Sequence, residues 1–373
     1  MNDLDQAFMR RALELARRAY GHVSPNPLVG AVLVKAGRVI GEGYHHRAGL
    51  PHAEIEAIRA AEKAGHRTKG ATLYVTLEPC CSHGRTPPCT NAILASGVAR
   101  VVVAAIDPNP RHRGRGLKLL RRRGVRVESG VLQPEATQMN EAFNHWVVKR
   151  EPFVVVKSAM TLDGKIATAS GESRWITGPA ARAKGMWLRQ GADAILVGIR
   201  TVIADDPSLT IRREQGCGFR RPKSPLKRVV LDSLARTPLT AKLVRDSHAA
   251  DTIVVVAESA PRRRVRALSE RVTVWQAPSA DGRIDLSWLL AQLGQGGITQ
   301  LLVEGGGEVN AAFLQARRVQ RVAFFYAPKI LGGRDAKRAV AGTGFPSLDE
   351  APRLSVLQWE RIGADLFLTG LVS

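Results

Sequence analysis

Apolar residues recur at helical spacing over Leu4–Ala19, where Phe8, Ala12, Leu15, Ala16 and Ala19 mark one face. Leu28–Val34 is a short apolar run that reads as a buried strand, and Gly37-Arg38 reads as a turn into a second strand at Val39–Gly41. A helix at Ala53–Ala64 precedes a strand at Ala71–Leu77, and a short helix at Thr90–Ser96 ends at Gly97. Val98–Ile106 reads as a strand, Gly116–Arg123 as a helix ended by Gly124, and Val125–Val127 as a last short strand. Strands separated by helices of this length predict a sheet with helices packed on its faces, an α/β fold.

A helical pattern from about Pro134 to Lys149 stops at Arg150-Glu151-Pro152, because the residue before a proline is pushed out of the helical region. A domain boundary placed there gives units of 1–150 and 151–373, which suits a chain of 373 residues. The second unit restarts with a strand at Phe153–Ser158, a helix around Ala180–Arg189 and a strand at Ala194–Gly198. Strands are expected at Arg228–Asp232, Thr252–Ala257, Val272–Trp275, Gln300–Glu304 and Arg321–Ala327. Helices are expected at Leu286–Leu293 and Val309–Ala316. Gln215–Lys227, rich in Gly, Pro and Arg, reads as a surface loop, and Ala260–Arg266 as a helix. No internal repeat links the halves, so two unrelated α/β domains are expected on one chain.

Composition narrows the class. A hydrophobic content of 45% suits a globular protein, and no apolar run approaches the roughly 20 residues of a membrane helix. The opening Met-Asn-Asp-Leu-Asp is acidic and lacks the apolar core of a secretory signal, so a cytoplasmic protein is expected. The formal net charge of +22 raises the question of nucleic acid. It is spread evenly, with 23 basic against 12 acidic residues in 1–150 and 32 against 21 in 151–373. The densest stretch, Arg111–Arg126, holds eight Arg or Lys and no acid, with Leu117, Leu119 and Leu120 as an apolar stripe. It reads as a solvated helix face or as a surface for phosphate or nucleic acid.

Three of four cysteines, Cys80, Cys81 and Cys89, fall within ten positions, which points to metal chemistry rather than disulfides. His52 opens a helix, Cys80 follows a strand, and Cys89 comes eight residues after Cys81, so one imidazole and two thiolates supply three ligands of a tetrahedral zinc. The fourth position is left for water, whose proton zinc loosens to near neutral pH. Glu54, two residues past His52, is the separate proton shuttle that hydrolytic deamination needs. A purely structural zinc site is the alternative, with Cys81 and His83 as candidate extra ligands.

The segments Asn26-Pro27-Leu28-Val29-Gly30, Gly43-Tyr44-His45, His52-Ala53-Glu54, Thr76-Leu77-Glu78-Pro79-Cys80, Gly84-Arg85-Thr86-Pro87-Pro88-Cys89 and Asp107-Pro108-Asn109-Pro110 carry a resemblance. They look like the cytidine-deaminase-like domain of the bifunctional riboflavin-biosynthesis deaminase/reductase family. That resemblance implies a three-layer α/β/α domain, one zinc per chain on His52, Cys80 and Cys89, and Glu54 as proton donor. It places Asn26, His45 and Arg85 against the pyrimidine and ribose phosphate. One departure is visible: the family usually reads Cys-Ser-His-X-Gly, whereas this chain reads Cys80-Cys81-Ser82-His83-Gly84 with the total spacing kept.

In the second unit, Leu301-Leu302-Val303-Glu304 runs into Gly305-Gly306-Gly307 and then a helix, a turn that lets backbone approach a phosphate at a helix N-terminus. It is not the G-x-G-x-x-G fingerprint. Lys157–Ala167, Gly171–Thr177 and Thr201–Thr210 follow expected strands, and together these segments resemble the dihydrofolate-reductase-like half of the same family, from about Pro152 to the C-terminus. The resemblance implies NADPH contacts at Ala159, Trp175, Thr201, Asp205, Ser233, Gly306, Gly307, Glu308, Val309, Asn310, Ala311 and Ala312. It implies substrate contacts at Ser173, Arg189, Leu209, Arg212 and Glu304. Arg189 and Arg212 suit phosphate as guanidinium forks. Trp175 reads either as a platform for nicotinamide or as core, and Lys157 and Asp163 as helpers.

The expectation is a bifunctional enzyme, a zinc hydrolase acting on a cyclic amidine joined to an NADPH-dependent oxidoreductase. It should act on small phosphorylated pyrimidines as a homo-oligomer, dimer or tetramer, without nucleic acid or membrane. A tRNA or DNA deaminase would need basic residues interleaved with stacking aromatics. Residues 1–150 hold only Phe8, Tyr20, Tyr44, Tyr74, Phe143 and Trp146, without such interleaving. A zinc-stabilised nucleic-acid-binding module would leave Glu54 and the reductase-like half unexplained.

Overall fold

A computed structural model describes residues 3–84, 87–212 and 225–373. The chain divides into two compact units, Met1–Arg150 and Glu151–Ser373. The first contains, in order, α1 (Asp3–Arg17), β1 (Gly30–Lys35), β2 (Arg38–Tyr44), α2 (Ala53–Lys63), β3 (Thr72–Leu77), α3 (Cys89–Ala95), β4 (Arg100–Ala105), α4 (Arg115–Arg122), β5 (Arg126–Ser129), α5 (Gln133–Met139) and α6 (Glu141–Lys149). Its five strands run β2-β1-β3-β4-β5, with β1 antiparallel to both neighbours and β3, β4 and β5 parallel. Apolar side chains from α1, α2 and α4 close on the sheet in one core that includes Met9, Ala57, Val75, Val102 and Leu120. Glycine sets how closely α2 approaches: a Cβ at Gly43 would lie 2.4 Å from the Ala57 backbone nitrogen. This contact fixes the height at which His52 and Glu54 enter the site.

The helix expected over Pro134–Lys149 is two helices. Asn140 breaks it, because its buried amide leaves the helical register to pair with Leu28, accepting from the backbone N–H at 2.8 Å and donating to the carbonyl at 2.9 Å. The Arg111–Arg126 stretch behaves as a solvated helix. Leu117 and Leu120 are buried, while Arg115, Lys118, Arg121 and Arg122 are exposed.

The second unit opens with β6 (Phe153–Thr161), β7 (Lys165–Ala167), α7 (Pro179–Gly191), β8 (Ala194–Gly198), α8 (Ile199–Asp205), β9 (Lys227–Leu231) and α9 (Lys242–Arg245). It continues with β10 (Thr252–Ala257), α10 (Arg262–Ser269), β11 (Thr273–Ala277), β12 (Ser279–Ala280), β13 (Arg283–Ile284) and α11 (Leu286–Gln295). The last elements are β14 (Gln300–Val303), α12 (Gly307–Gln315), β15 (Arg321–Ala327), β16 (Lys337–Arg338), β17 (Leu354–Ile362) and β18 (Asp365–Val372). Nine of these strands form one sheet in the order β11-β10-β9-β8-β14-β6-β15-β18-β17. The first seven are mutually parallel, and the terminal hairpin β17–β18 joins antiparallel to β15.

Alternate residues feed opposite faces, as the two-residue period of a strand requires. Leu196, Val255 and Val303 point into one core, and Val197, Val254 and Val256 into the other. β14 sits between β8 and β6, so the chain turns at their carboxyl ends where the order of connections reverses. Open parallel sheets form their ligand crevices at such places. Of the Gln215–Lys227 loop, residues 215–224 lie outside the described ones, while Lys227 already begins β9.

Candidate active sites

In the first unit three elements converge. His52 is the residue before the first turn of α2, Cys80 follows β3, and Cys89 opens α3. His52 Nδ1 lies 3.2 Å from Cys89 Sγ and 3.6 Å from Cys80 Sγ, and the Cys89 backbone N–H donates to Cys80 Sγ at 3.3 Å. All three donor atoms lie within 4.8 Å of one another. Bond lengths of about 2.0–2.3 Å in a tetrahedral zinc site put N and S ligands roughly 3.5 Å apart, so this donor set fits the ion. The Cys80 thiol is pulled down by its Cys89 hydrogen bond, and then by His52, against burial. Cys89 moves the opposite way, since two sulfurs this close share one proton. The extra-ligand alternative does not hold: Cys81 Sγ faces His112 Nδ1 at 3.8 Å, and His83 is exposed.

Glu54 is buried one helical step behind His52, and burial raises its carboxyl above the usual range. The cluster and Glu54 open onto a cavity of about 330 Å³ that Asn26, His45, Glu78, Asp107, Asn109, His112 and Phe143 also line. His45 donates from Nδ1 to the Pro51 carbonyl at 3.1 Å and accepts at Nε2 from Asn26 at 3.0 Å, while burial lowers its pKa. The Asn26–His45 pair is therefore a fixed neutral edge suited to a heterocycle. Arg85 lies outside the described residues. Sequence reasoning did not single out Glu78 or His112. Glu78 is buried and accepts from the backbone N–H groups of Asp107, Gly114 and Gly116, tying the segment after β4 to the end of β3.

In the second unit, Glu304 at the end of β14 takes a bidentate pair from Arg189 on α7, with Nε–Oε1 and Nη2–Oε2 both 2.8 Å. Lys157 Nζ on β6 stands 3.7 Å from the same carboxylate. Burial alone would raise Glu304, but Arg189 and Lys157 outweigh it and hold the carboxyl at about 2. Arg189 Nη1 donates to the Thr210 carbonyl at 2.8 Å. Its fork therefore faces a carboxylate instead of standing open to phosphate, since neither buried ion can remain unpaired. These three residues line a cavity of about 150 Å³ with Ala159, Trp175, Arg182 and Arg212. Trp175 is exposed, which removes the core alternative, and the Arg182 guanidinium lies over its ring at 4.5 Å. Lys329 Nζ donates to the Trp175 carbonyl at 2.8 Å, and Asp163 accepts from the N–H groups of Leu331 and Gly332.

The other expected cofactor residues surround the start of α12. Ser233, Glu308, Val309, Ala311 and Ala312 line a second cavity of about 620 Å³ together with Arg200. A Cβ on Gly306 would occupy the gap before Thr201 Oγ1, 3.6 Å away, and no side chain caps the helix there. An uncapped N-terminus behind such a gap fits the diphosphate of a dinucleotide. Gly307 is packed against the Arg338 carbonyl, and Asn310 donates to the Ala339 carbonyl, so both brace the helix. Leu209 is buried, Ser173 is half-buried, and the Asp205 carbonyl accepts from Arg174. None of these three lines either cavity.

Fold and site define a zinc-dependent deaminase domain followed by a reductase domain. Residues 2–105 match the family model of the cytidine and deoxycytidylate deaminase zinc-binding region, and residues 152–368 match that of the RibD C-terminal domain. The riboflavin biosynthesis protein RibD of Actinobacillus pleuropneumoniae is 41% identical over 372 residues, covering 100% of this chain and 96% of the other. That of Escherichia coli (strain K12) is 40% identical, covering 98% of each. The solved structure of Acinetobacter baumannii RibD (form 1) matches with a TM-score of 0.86 and 38% identity, covering 100% of this chain and 99% of that one. The deaminase/reductase of Thermotoga maritima matches at 0.83 and 36%, with the same coverage. The chain belongs to the RibD family of bifunctional riboflavin-biosynthesis deaminase/reductases. Its deaminase domain carries the family's zinc-binding site at His52, Cys80 and Cys89, and its reductase domain is of the NAD(P)H-using kind.

Proposed function

We propose that the unit 1–150 removes the 2-amino group of 2,5-diamino-6-ribosylamino-4(3H)-pyrimidinone 5′-phosphate as ammonia. The unit 151–373 then reduces the ribosyl group of 5-amino-6-(5-phosphoribosylamino)uracil to ribityl with NADPH. The observation that carries the reading is the buried Glu54 carboxyl beside the His52/Cys80/Cys89 cluster, both opening on one cavity. Zinc at that cluster supplies Lewis acidity that makes water a nucleophile near neutral pH. Glu54, whose raised carboxyl suits proton exchange, passes on the two protons of the attacking water in turn, the first to the ring nitrogen as water adds and the second to the amine as it departs. Asn26 and His45 hold the heterocycle, and Arg85 is assigned to the ribose phosphate. Water adds to the amidine carbon, the C–N bond breaks, and carbonyl and ammonia result.

For the reductase, NADPH bound at the residues assigned to it would supply the hydride that C1′ of the ribosyl group accepts in its protonated open-chain imine form, leaving the ribityl amine and NADP+. Ala159, Trp175, Thr201, Asp205, Ser233 and residues 306–312 are assigned to the cofactor. Ser173, Arg189, Leu209, Arg212 and Glu304 are assigned to the substrate, with Arg189 acting through Glu304. The rate of this step comes from positioning donor and acceptor carbons together.

The protein is assigned to the cytoplasm, where the thiols of the cluster stay reduced. Among the described residues no helix is long and apolar enough to cross a membrane. It is assigned as a homo-oligomer, dimer or tetramer, because the edge strand β17 exposes Val356, Leu357 and Trp359. The partners are phosphorylated pyrimidines, and nucleic acid is not among them. The test follows ammonia release and NADPH oxidation from one pyrimidine with the purified zinc-loaded chain. Both should appear, in that order, and ammonia without subsequent NADPH oxidation would defeat the reductase half.

A further inference from the structure

The deaminase cavity has a wall that its zinc motif does not include. The segment between β4 and α4 contributes Asp107, Asn109 and His112 to the lining. Glu78 holds this segment by accepting the backbone N–H groups of Asp107 and Gly114, and that of Gly116 at the start of α4, while Asp107 accepts from the Asn109 N–H at 2.8 Å. His112 therefore sits on a fixed loop, with Nδ1 3.8 Å from Cys81 Sγ, and Nε2 is the ring nitrogen left to meet a ligand. Cys81 and His112 form this pair at the place where the chain departs from the usual Cys-Ser-His order.

A phosphorylated substrate needs strong donors for its phosphate. Arg85, assigned to the phosphate above, lies outside the described residues, and among the described residues lining this cavity there is no lysine or arginine. His52 belongs to the metal cluster, and both ring nitrogens of His45 are engaged by Asn26 and Pro51. Among the described lining residues, His112 is the imidazole that remains, and it would act beside Arg85. Its sequence neighbours Arg111, Arg113 and Arg115 are exposed and belong to the acid-free basic stretch, while Glu78 and Asp107 line the same wall.

We infer that His112 is a further substrate-binding residue of the deaminase, donating to the 5′-phosphate of the pyrimidine ribotide. The inference rests on the deaminase reading. It is tested by ammonia release from the phosphorylated pyrimidine and from its phosphate-free counterpart, using the zinc-loaded full chain and its His112→Ala and His112→Lys variants. His112→Ala should keep its zinc and lose about tenfold of the preference for the phosphorylated compound, mostly through KM. His112→Lys should restore much of that preference. Equal losses on both compounds, or an unchanged preference, would overturn the assignment. Wild-type chain that releases no ammonia from either compound would overturn the deaminase reading with it, a failure distinct from the other two.

Discussion

Arg189 and Glu304 meet edge to edge, two parallel hydrogen bonds of 2.8 Å joining residues 115 positions apart beneath the reductase cavity. Lys157 stands against the same carboxylate, so two cations share one buried anion. Removing that anion leaves both without a counter-charge. Glu304→Gln should destabilise the protein by about 3–5 kcal/mol, the usual consequence of breaking a buried pair from one side. In a thermal melt the transition of the second unit should fall by roughly 6–20 °C. A shift under a degree would mean that water already reaches the pair.

The same pair sets an acid limit. Glu304 is held at about 2, below its ordinary value near 4.5. A carboxyl with a lowered folded-state pKa contributes stability that is fully present above its unfolded value and is lost as pH falls through the folded one. Wild-type stability should therefore drop between pH 4.5 and 2 by an amount on the order of 3 kcal/mol from this residue. The drop should be correspondingly shallower in Glu304→Gln. Chemical denaturation at several acidic pH values measures it, and parallel curves for the two proteins would remove Glu304 as the cause.

Glu54 separates chemistry from metal binding. Its carboxyl is not among the three clustered ligands, so Glu54→Gln should bind as much zinc as the wild type. Ammonia release should fall by about 10²–10⁴-fold, the contribution of a positioned proton carrier. NADPH oxidation with the already deaminated pyrimidine should be unaffected, because that site lies in the other unit. Zinc analysis and the two assays on one preparation decide the matter, and normal ammonia release would dismiss Glu54 as the shuttle.

The zinc cluster was legible in the sequence because ligand type and spacing state the chemistry directly. Most strands of both units were legible too, being short apolar runs bounded by Gly or Pro. What escaped depends on distant partners. The helical pattern continues through Asn140, and only its pairing with Leu28, 112 positions away, breaks the helix. Arg189 and Glu304 each read as substrate contacts, and nothing local says that they satisfy one another. β17 was not read as a strand because Ser355–Arg361 is exposed throughout, which erases the alternation that marks a half-buried strand. His112 carries no motif, and it comes to the deaminase cavity through the loop that Glu78 holds.

The two glycines at the start of α12 should divide by function. A Cβ on Gly307 would lie 2.1 Å from the Arg338 carbonyl, so Gly307→Ala must shift backbone and should cost about 1–3 kcal/mol of stability. A Cβ on Gly306 meets nothing nearer than Thr201 Oγ1 at 3.6 Å and is tolerated by the fold, yet it fills the gap assigned to the cofactor diphosphate. Gly306→Ala should melt like wild type while binding NADPH more weakly. Calorimetric titration with NADPH beside a thermal melt separates the two. Undiminished NADPH affinity in Gly306→Ala would move the diphosphate elsewhere.

Arg212 stands differently from Arg189. Arg189 spends its fork on Glu304 and a further N–H on the Thr210 carbonyl, whereas Arg212 is exposed at the rim of the same cavity. A guanidinium at such a rim can meet a phosphate bidentately, a charge-assisted contact of about 1.5–3 kcal/mol. Arg212→Ala should therefore raise KM for the phosphorylated pyrimidine at the reduction step by about 10–100-fold. It should leave NADPH affinity and thermal stability near the wild-type values, because no buried partner is abandoned. Arg212→Lys should recover only part of the loss, since an ammonium keeps the charge without the fork. Steady-state kinetics with each ligand varied in turn gives the answer. Equal losses for substrate and cofactor would place Arg212 in the frame of the cavity and not at the phosphate.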